Sequence, residues 1–312
     1  MDWCHFFLAQ CLAPSTRRVY QSAQCRYIDF CRLDGRLSPE AALLPADEQS
    51  LMCFATMLAD SLNHSSIKVY LSAVRSLHID NGLADPLINC LQLQWLLRGI
   101  KRVQGSPTPK RLPITIDVLQ VLKRSLDLSS QNHIMLWVAC CLGFFGFLRA
   151  GEFTTNSPFD PNIHLGVSDV QADTLQDPTC FQIHIKCSKT DPFWVGCYIY
   201  VGRGSDVVCP VVALGNFLAV RGPCPGPLFC FADCRPLTCQ LLSASFSGNY
   251  SGLSFGIGAA TTAASRGLPD HLIKTLGRWS SDAYQRYIRS LSLLGQPRGL
   301  QQGRRGSWLG CR

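Results

Sequence analysis

The chain has 312 residues, a formal net charge of +8, 47% hydrophobic residues and 16% charged residues. This composition excludes an intrinsically disordered protein, because such chains contain fewer apolar and more charged residues. The length suits two domains with separate cores, and the positive charge modestly favours an anionic partner such as nucleic acid.

Cysteine usage and the first residues bear on the cellular compartment. The 17 cysteines are an odd number in a large chain, which predicts reduced thiols rather than a disulfide scaffold. Residues 1–12 contain Asp2 and His5 and no basic start, so we expect no export. The longest apolar run, 134–148, is shorter than the roughly 18 residues of a membrane span. A nuclear or cytoplasmic protein is predicted, neither secreted nor membrane-bound.

Apolar residues at helical spacing predict that the first hundred residues are all helical. The expected helices begin at a Ser15 or Thr16 cap and stop at Gly35, cover Glu48–Leu58, start at Ser65, and cover Pro86–Arg102. Their faces away from the expected core carry basic side chains, which are the candidate DNA-phosphate contacts: Arg17, Arg18, Lys68, Arg75, Arg98, Lys101 and Arg102.

A stretch rich in proline and basic residues, GSPTPKRLP, predicts a linker over 105–113. Its basic, extended character would suit wrapping around a duplex, and an ordinary exposed hinge explains it equally well. The expected domains are therefore 1–104 and 114–290, and residues 291–312 resemble an unstructured tail.

In the second half of the chain, helical spacing of the apolar residues gives way at one place to the alternation that is typical of strands. Helices are predicted over Ile116–Ser125, over the apolar run 132–148, over Val211–Val220, and from Ile257 to Arg289. Between them, alternating residues at 181–185 and 198–201 predict a β-hairpin around the turn SKTDP. The fold class is thus mostly α with a small β-sheet.

Two basic residues stand at chemically suggestive positions. Arg149 follows the apolar helix in GFLRAGE, where a guanidinium would suit phosphate binding; a purely structural pair with Glu152 is the alternative. Lys189 lies on the turn of the predicted hairpin, where it could donate a proton as a general acid; a solvated turn lysine is the alternative.

The last patterned stretch, GLPDHLIKTLGRWSSDAYQRYIR, predicts a helix opened by Pro269 and Asp270 and ended by Gly277. A second helix is expected to present Tyr284 and Tyr287. Taken alone, the pattern is equally typical of a core helical hairpin with surface tyrosines, because no spacing rule makes a tyrosine a nucleophile.

Together, the GFLRAGE box, the SKTD turn and LGRWSSDAYQRYIR resemble the tyrosine recombinases (phage-integrase family) over residues 14–290. The similarity is greatest to recombinases of DIRS-type eukaryotic retrotransposons. It implies a helical, SAM-like core-binding domain and an α+β catalytic domain that clamp duplex DNA. It also implies that Arg149 holds the scissile phosphate, Lys189 protonates the departing 5′ oxygen, and Tyr287 forms a 3′-phosphotyrosine. Arg278, or alternatively Trp279, takes the place of a histidine or tryptophan in many relatives.

The resemblance breaks at one motif. Relatives carry a His-x-x-Arg box before an Ile-Gly-Ala-Ala helix, whereas SGLSFGIGAATTAAS places Leu253 at the histidine and Gly256 at the arginine. The preceding stretch, 241–250, is also shorter than in relatives, which predicts an uncovered apolar face. A degenerate copy that binds DNA and cleaves it slowly or not at all is therefore expected.

No cofactor is expected, because the chain contains no phosphate-binding loop, CxxC pair or HExxH motif. The spacing of Cys230, Cys234 and Cys239 fits no common zinc site, so no metal is predicted. The partners are duplex DNA and further copies in a tetramer on DNA. The alternatives are a non-catalytic DNA-binding remnant of a mobile element, and a helical protein-interaction domain in which the motif order is accidental.

Overall fold

The computed structural model describes residues 3–33, 43–105, 111–191, 193–204 and 207–288. The chain divides into two compact units, Met1–Thr108 and Pro109–Arg312. The predicted tail, 291–312, lies outside the described residues, as does 106–110 of the predicted linker. Arg111 and Leu112 of that linker bond to Asn249 instead, so they belong to the second unit.

The regular secondary structure of the described first unit is entirely helical, as predicted. Their helices are α1 (Trp3–Gln10), α2 (Pro14–Leu33), α3 (Glu48–Ala59), α4 (His64–Asp80) and α5 (Leu91–Gln104). Helix α2 packs along α4, and α3 along α5. Tyr27 and Phe30 meet Phe54 at ring-centroid distances of 5.1 and 5.3 Å, which forms an aromatic centre for the core.

Two predictions for this unit were wrong in detail, and one helix was missed. Ser15 and Thr16 do not cap α2, because Pro14 already occupies its first turn, where a missing N–H costs nothing. The fifth helix begins at Leu91 rather than Pro86, since Asn89 adopts a left-handed φ of 62°. Helix α1 was not predicted.

The second unit combines helices with a three-stranded sheet. Its helices are α6 (Ile116–Ser125), α7 (Gln131–Phe145), α8 (Ala150–Phe153), α9 (Pro210–Arg221), α10 (Cys239–Ala244), α11 (Leu253–Ser265) and α12 (Asp270–Leu276). Its strands are β1 (Val170–Ala172), β2 (Cys180–Ile185) and β3 (Cys197–Gly202). Short 3-10 helices cover Val167–Asp169 and Asp282–Arg286.

The apolar run predicted as a buried helix forms the centre of this unit. Helix α7 packs against α6, α9 and α11, and its residues from Val138 to Phe144 are all buried. The strands pair antiparallel in the order β1-β2-β3, with Ile183 opposite both Val170 and Ile199. The predicted hairpin is confirmed, and β1 adds a third strand that the sequence did not indicate.

A close backbone contact fixes α11. A Cβ on Gly258 would lie 1.7 Å from the carbonyl oxygen of Ile114, so only glycine fits there. Nearby, the amide of Ile114 donates to the carbonyl of Ser254 at 3.0 Å. The start of the second unit is therefore bound directly to the helix that carries Leu253 and Gly256.

Candidate active site

The GFLRAGE box forms the turn between α7 and α8. After α7 ends, Phe147 takes a left-handed φ of 50°, and Arg149 directly precedes α8. Glu152 in the first turn of α8 folds back, and its Oε2 accepts the backbone amide of Arg149 at 3.0 Å. This reciprocal cap fixes the place at which the arginine leaves the apolar core.

The Arg149 guanidinium binds groups from three segments. Its Nη1 donates to Glu152 Oε1 at 3.0 Å and to Ser188 Oγ at 3.4 Å. Its Nη2 donates to the carbonyl oxygens of Gly277 and Arg278, both at 3.4 Å. The structural pair with Glu152 is thus present, and the side chain remains 23% exposed, so pairing does not exclude anion binding.

Arg278 binds the same carboxylate from the other side. Its Nη2 lies 2.5 Å from Glu152 Oε2, and its two terminal nitrogens donate to the carbonyls of Gly146 and Phe147 at 3.3 Å. Among the described residues, the buried Nε has no hydrogen-bond partner, and Arg278 holds a left-handed φ of 53°. Glu152 is only 2% exposed, so two guanidinium groups share one buried carboxylate.

Lys189 is exposed on the turn between β2 and β3, which is closed by a bridge between Ser188 and Asp191. Within the part of the chain that the structure describes, its amine has no hydrogen-bond or ion-pair partner. Lys186, the other lysine of this motif, is bound to Asp169 at 2.5 Å. Ser188 Oγ donates to Glu152 Oε1 at 2.8 Å, so the base of the turn is attached to the arginine pair.

The C-terminal motif differs from its prediction. The helix ended by Gly277 is confirmed, but the expected second helix is a single 3-10 turn, and Tyr284 is buried with its hydroxyl donating to Asp270 at 3.2 Å. Tyr287 follows directly and is half-buried. Thr261 of α11 donates to its carbonyl at 3.1 Å.

Gly256 lies beside Tyr287. A Cβ on Gly256 would lie 3.6 Å from Cε1 of the Tyr287 ring, an ordinary van der Waals distance. The Trp279 ring is 5.1 Å from that of Tyr287. Leu253 is exposed at the first position of α11. No cation from the start of α11 therefore accompanies Tyr287.

The shortened segment does not leave the core open as predicted. Phe246 packs on Phe255 at 5.9 Å and on Tyr250 at 5.6 Å, and Leu242 of α10 is buried. Burial raises the pKa of Tyr250. A six-residue helix followed by two aromatic side chains covers the surface that a longer helix was expected to cover.

The basic side chains of the first unit do not form one uniform set. Burial, together with the charges of the nearby Lys101 and Lys68, lowers the pKa of His64. Arg75, in contrast, is bound to Asp85 at 2.6 Å. Arg17 lines a groove that also contains Asp80. Arg18, Arg98 and Arg102 are exposed.

Ser188 is the site residue that sequence reasoning missed. It lies inside the SKTD turn, where only the lysine suggested chemistry, and its contacts depend on a helix 36 positions earlier. Among the described residues, no group of three or more His, Cys, Asp or Glu side chains is arranged to hold a metal ion. Nor does any described helix have the length and apolarity needed to cross a membrane.

The sequence matches no protein-family profile and no curated protein. Solved structures do resemble it. A λ integrase dimer bound to a COC′ core site has a TM-score of 0.60 at 14% identity, over 96% of this chain and 79% of the integrase. XerH recombinase bound to difH has a TM-score of 0.59 at 16% identity, over 88% and 76% of the two chains.

The chain has the tyrosine-recombinase fold. A λ integrase tetramer bound to a Holliday junction is also similar, with a TM-score of 0.53 at 14% identity over 86% of this chain and 77% of the integrase. The predicted fold class, mostly α with a small sheet, is confirmed. At these identities the likeness concerns the fold, and activity must be argued from the residues.

Proposed function

We propose that this chain is a DNA-binding protein of the tyrosine-recombinase family whose strand cleavage is impaired. One observation carries the proposal. Tyr287 lies against Gly256 and Trp279, while Arg149 binds the backbone of Gly277 and Arg278. The segments named by the resemblance thus meet within one unit. The similarity to DNA-bound integrases supports the same function.

The proposed chemistry is a transesterification. Arg149 binds a non-bridging oxygen of the phosphate, and Tyr287 Oη attacks phosphorus while its phenolic proton passes to solvent water. The bond to the 5′ oxygen breaks, and Lys189 donates the proton that this oxygen takes up. The phosphotyrosine retains the energy of the phosphodiester bond, so the reverse attack by a 5′ hydroxyl religates the strand. Duplex DNA is the substrate, and a tetramer on DNA would exchange strands between sites.

The impairment follows from three positions. Leu253 cannot accept the phenolic proton, and Gly256 supplies no charge beside Tyr287. Arg149 and Arg278 share the charge of Glu152, which offsets one of the two positive charges. Losing one cation or donor at such a transition state typically lowers the rate by about 10² to 10⁵.

The test is covalent capture on a nicked suicide duplex, read on an SDS gel. We expect no adduct from the wild type or from Tyr287→Phe, and an adduct from the double restoration Leu253→His, Gly256→Arg. A Cβ fits at Gly256, since it would meet only the Tyr287 ring within 4 Å. An adduct from the wild type that Tyr287→Phe abolishes would contradict the impairment.

The second candidate is a non-catalytic DNA-binding remnant of a mobile element. The observation that favours it is the loss of both box side chains while Gly258 still fits against Ile114. In this case, the restored double variant would bind DNA and still form no adduct.

Both candidates require salt-dependent DNA binding through the first unit. Replacing Lys68 and Lys101 by alanine should flatten the slope of log K against log salt by about one per lost phosphate contact, measured by fluorescence anisotropy on duplex DNA. Arg75→Ala is the matched control, and it should change the slope less because Asp85 already holds that guanidinium. Equal slopes for all proteins would remove Lys68 and Lys101 from the interface.

A further inference from the structure

The turn between β2 and β3 exposes three consecutive large apolar side chains. Phe193, Trp194 and Val195 are 86%, 55% and 81% exposed. In the strands that precede and follow the turn, exposure is one-sided: Phe181, Ile183 and Ile185 of β2 are buried, whereas Tyr198 and Tyr200 of β3 are exposed. Contiguous apolar surface is uncommon on soluble proteins and marks contact sites when it occurs. These three residues are called the hairpin tip below.

One carboxylate bonds to the turn that carries the hairpin tip. The amide of Gly196 donates to Asp191 Oδ2 at 2.8 Å, and hydrogen bonding from backbone amides of this turn, that of Gly196 first, lowers the pKa of Asp191. Trp194 is held at a left-handed φ of 56°, which costs a large side chain on the order of 1 kcal/mol. The turn therefore holds Trp194 in a strained backbone conformation in which its indole ring stays more than half exposed.

Charge indicates what the hairpin tip contacts. Asp191 is directed toward backbone amides of its own turn, whereas Lys189 on the same turn is exposed. Ser188, at the base of the turn, donates to Glu152, the residue that holds Arg149 and Arg278. The apolar hairpin tip therefore adjoins a turn that carries basic residues. Duplex DNA matches both features, because its phosphates are anionic and its stacked bases have flat apolar faces.

We propose that the hairpin tip is a wedge that inserts Phe193 and Trp194 between adjacent bases of the duplex bound at Arg149. Apolar side chains used in this way unstack one base step and kink the helix, and aromatic rings then stack on the exposed bases. The inference rests on the proposed DNA-binding function and extends it. In this proposal, Lys189 and the hairpin tip belong to one turn that both contacts and bends the DNA.

The experiment compares two labelled duplexes of about 20 base pairs, roughly two helical turns. One duplex is intact, and the other has a single abasic site at its centre, where the missing base already interrupts base stacking. A wedge should make the wild type bind the abasic duplex about fivefold to tenfold more tightly, because less unstacking energy is needed. The ratio of the two dissociation constants is independent of phosphate affinity.

The variants separate the wedge from general binding. Phe193→Ser with Trp194→Ser should bring the ratio to about one, and Trp194→Phe should retain part of the preference, since both aromatic rings stack on bases. The matched control is Leu175→Ser, which alters a fully exposed apolar residue in the segment between β1 and β2 and should keep the wild-type ratio.

The outcomes distinguish the two proposals. An unchanged ratio in the double variant, or a wild-type ratio of one with normal salt-dependent binding, would overturn the wedge and leave DNA binding standing. Absence of binding to either duplex at low salt would overturn both. If the double variant instead dissociated a DNA-free dimer in sedimentation and kept the ratio, the tip would contact a second copy of the chain and the wedge would be wrong.

Discussion

Two regions of the second unit differ in whether charged side chains accompany their core packing. The turn before α8 retains its charged residues, with Arg149 and Arg278 sharing the buried Glu152. The start of α11 has neither of the charged side chains expected there, yet its packing is intact: Phe255 is buried, and Gly258 lies against Ile114. The comparison teaches that core packing maintains this fold with uncharged residues at 253 and 256, so similarity of fold by itself does not show whether a chain is active.

The largest effect on stability is expected from a substitution that disrupts the packing of α11. Gly258→Ala would place a methyl group 1.7 Å from the Ile114 carbonyl oxygen, and we expect it to lower the free energy of unfolding by about 4 kcal/mol or more. Gly256→Ala, two residues earlier, is the matched control. It meets only the Tyr287 ring at an ordinary distance and should stabilise the helix by up to about 1 kcal/mol.

Urea denaturation of the two alanine variants measures this difference. If Gly258→Ala were as stable as the wild type, the close approach of α11 to Ile114 would be wrong. A large loss in Gly256→Ala would mean that the space beside Tyr287 is filled, and the restoration proposed for that position would no longer be reasonable.

A smaller effect tests the charged region. Glu152→Ala should lower the free energy of unfolding by about 3 kcal/mol, because it leaves two partly buried guanidinium groups without their shared carboxylate. Lys189→Ala is its control in the same motif set, and a change within about 0.5 kcal/mol is expected for this exposed side chain. Equal losses in both variants, measured by thermal unfolding, would contradict the assignment of Glu152 as the centre of the region.

Sequence reasoning located most helices, the hairpin and the order of Arg149, Lys189 and Tyr287. It was wrong where a distant contact decided a local conformation. Tyr284 was expected on the surface and is buried on Asp270, and the segment 241–250 was expected to leave the core uncovered, whereas Phe246 and Tyr250 cover it. Neither outcome has a periodic signal, because aromatic residues in an irregular segment give no repeat that a pattern could detect.

The sequence by itself determined the classes of secondary structure and the uncharged residues at 253 and 256, since helical and strand periods and residue identities are local properties. Only the tertiary structure decided that Glu152 joins Arg149 to Arg278, 126 positions further along the chain, and that Gly256 faces Tyr287. Such contacts depend on how α7, α8 and α11 pack together, and that packing is a property of the whole core rather than of any short segment.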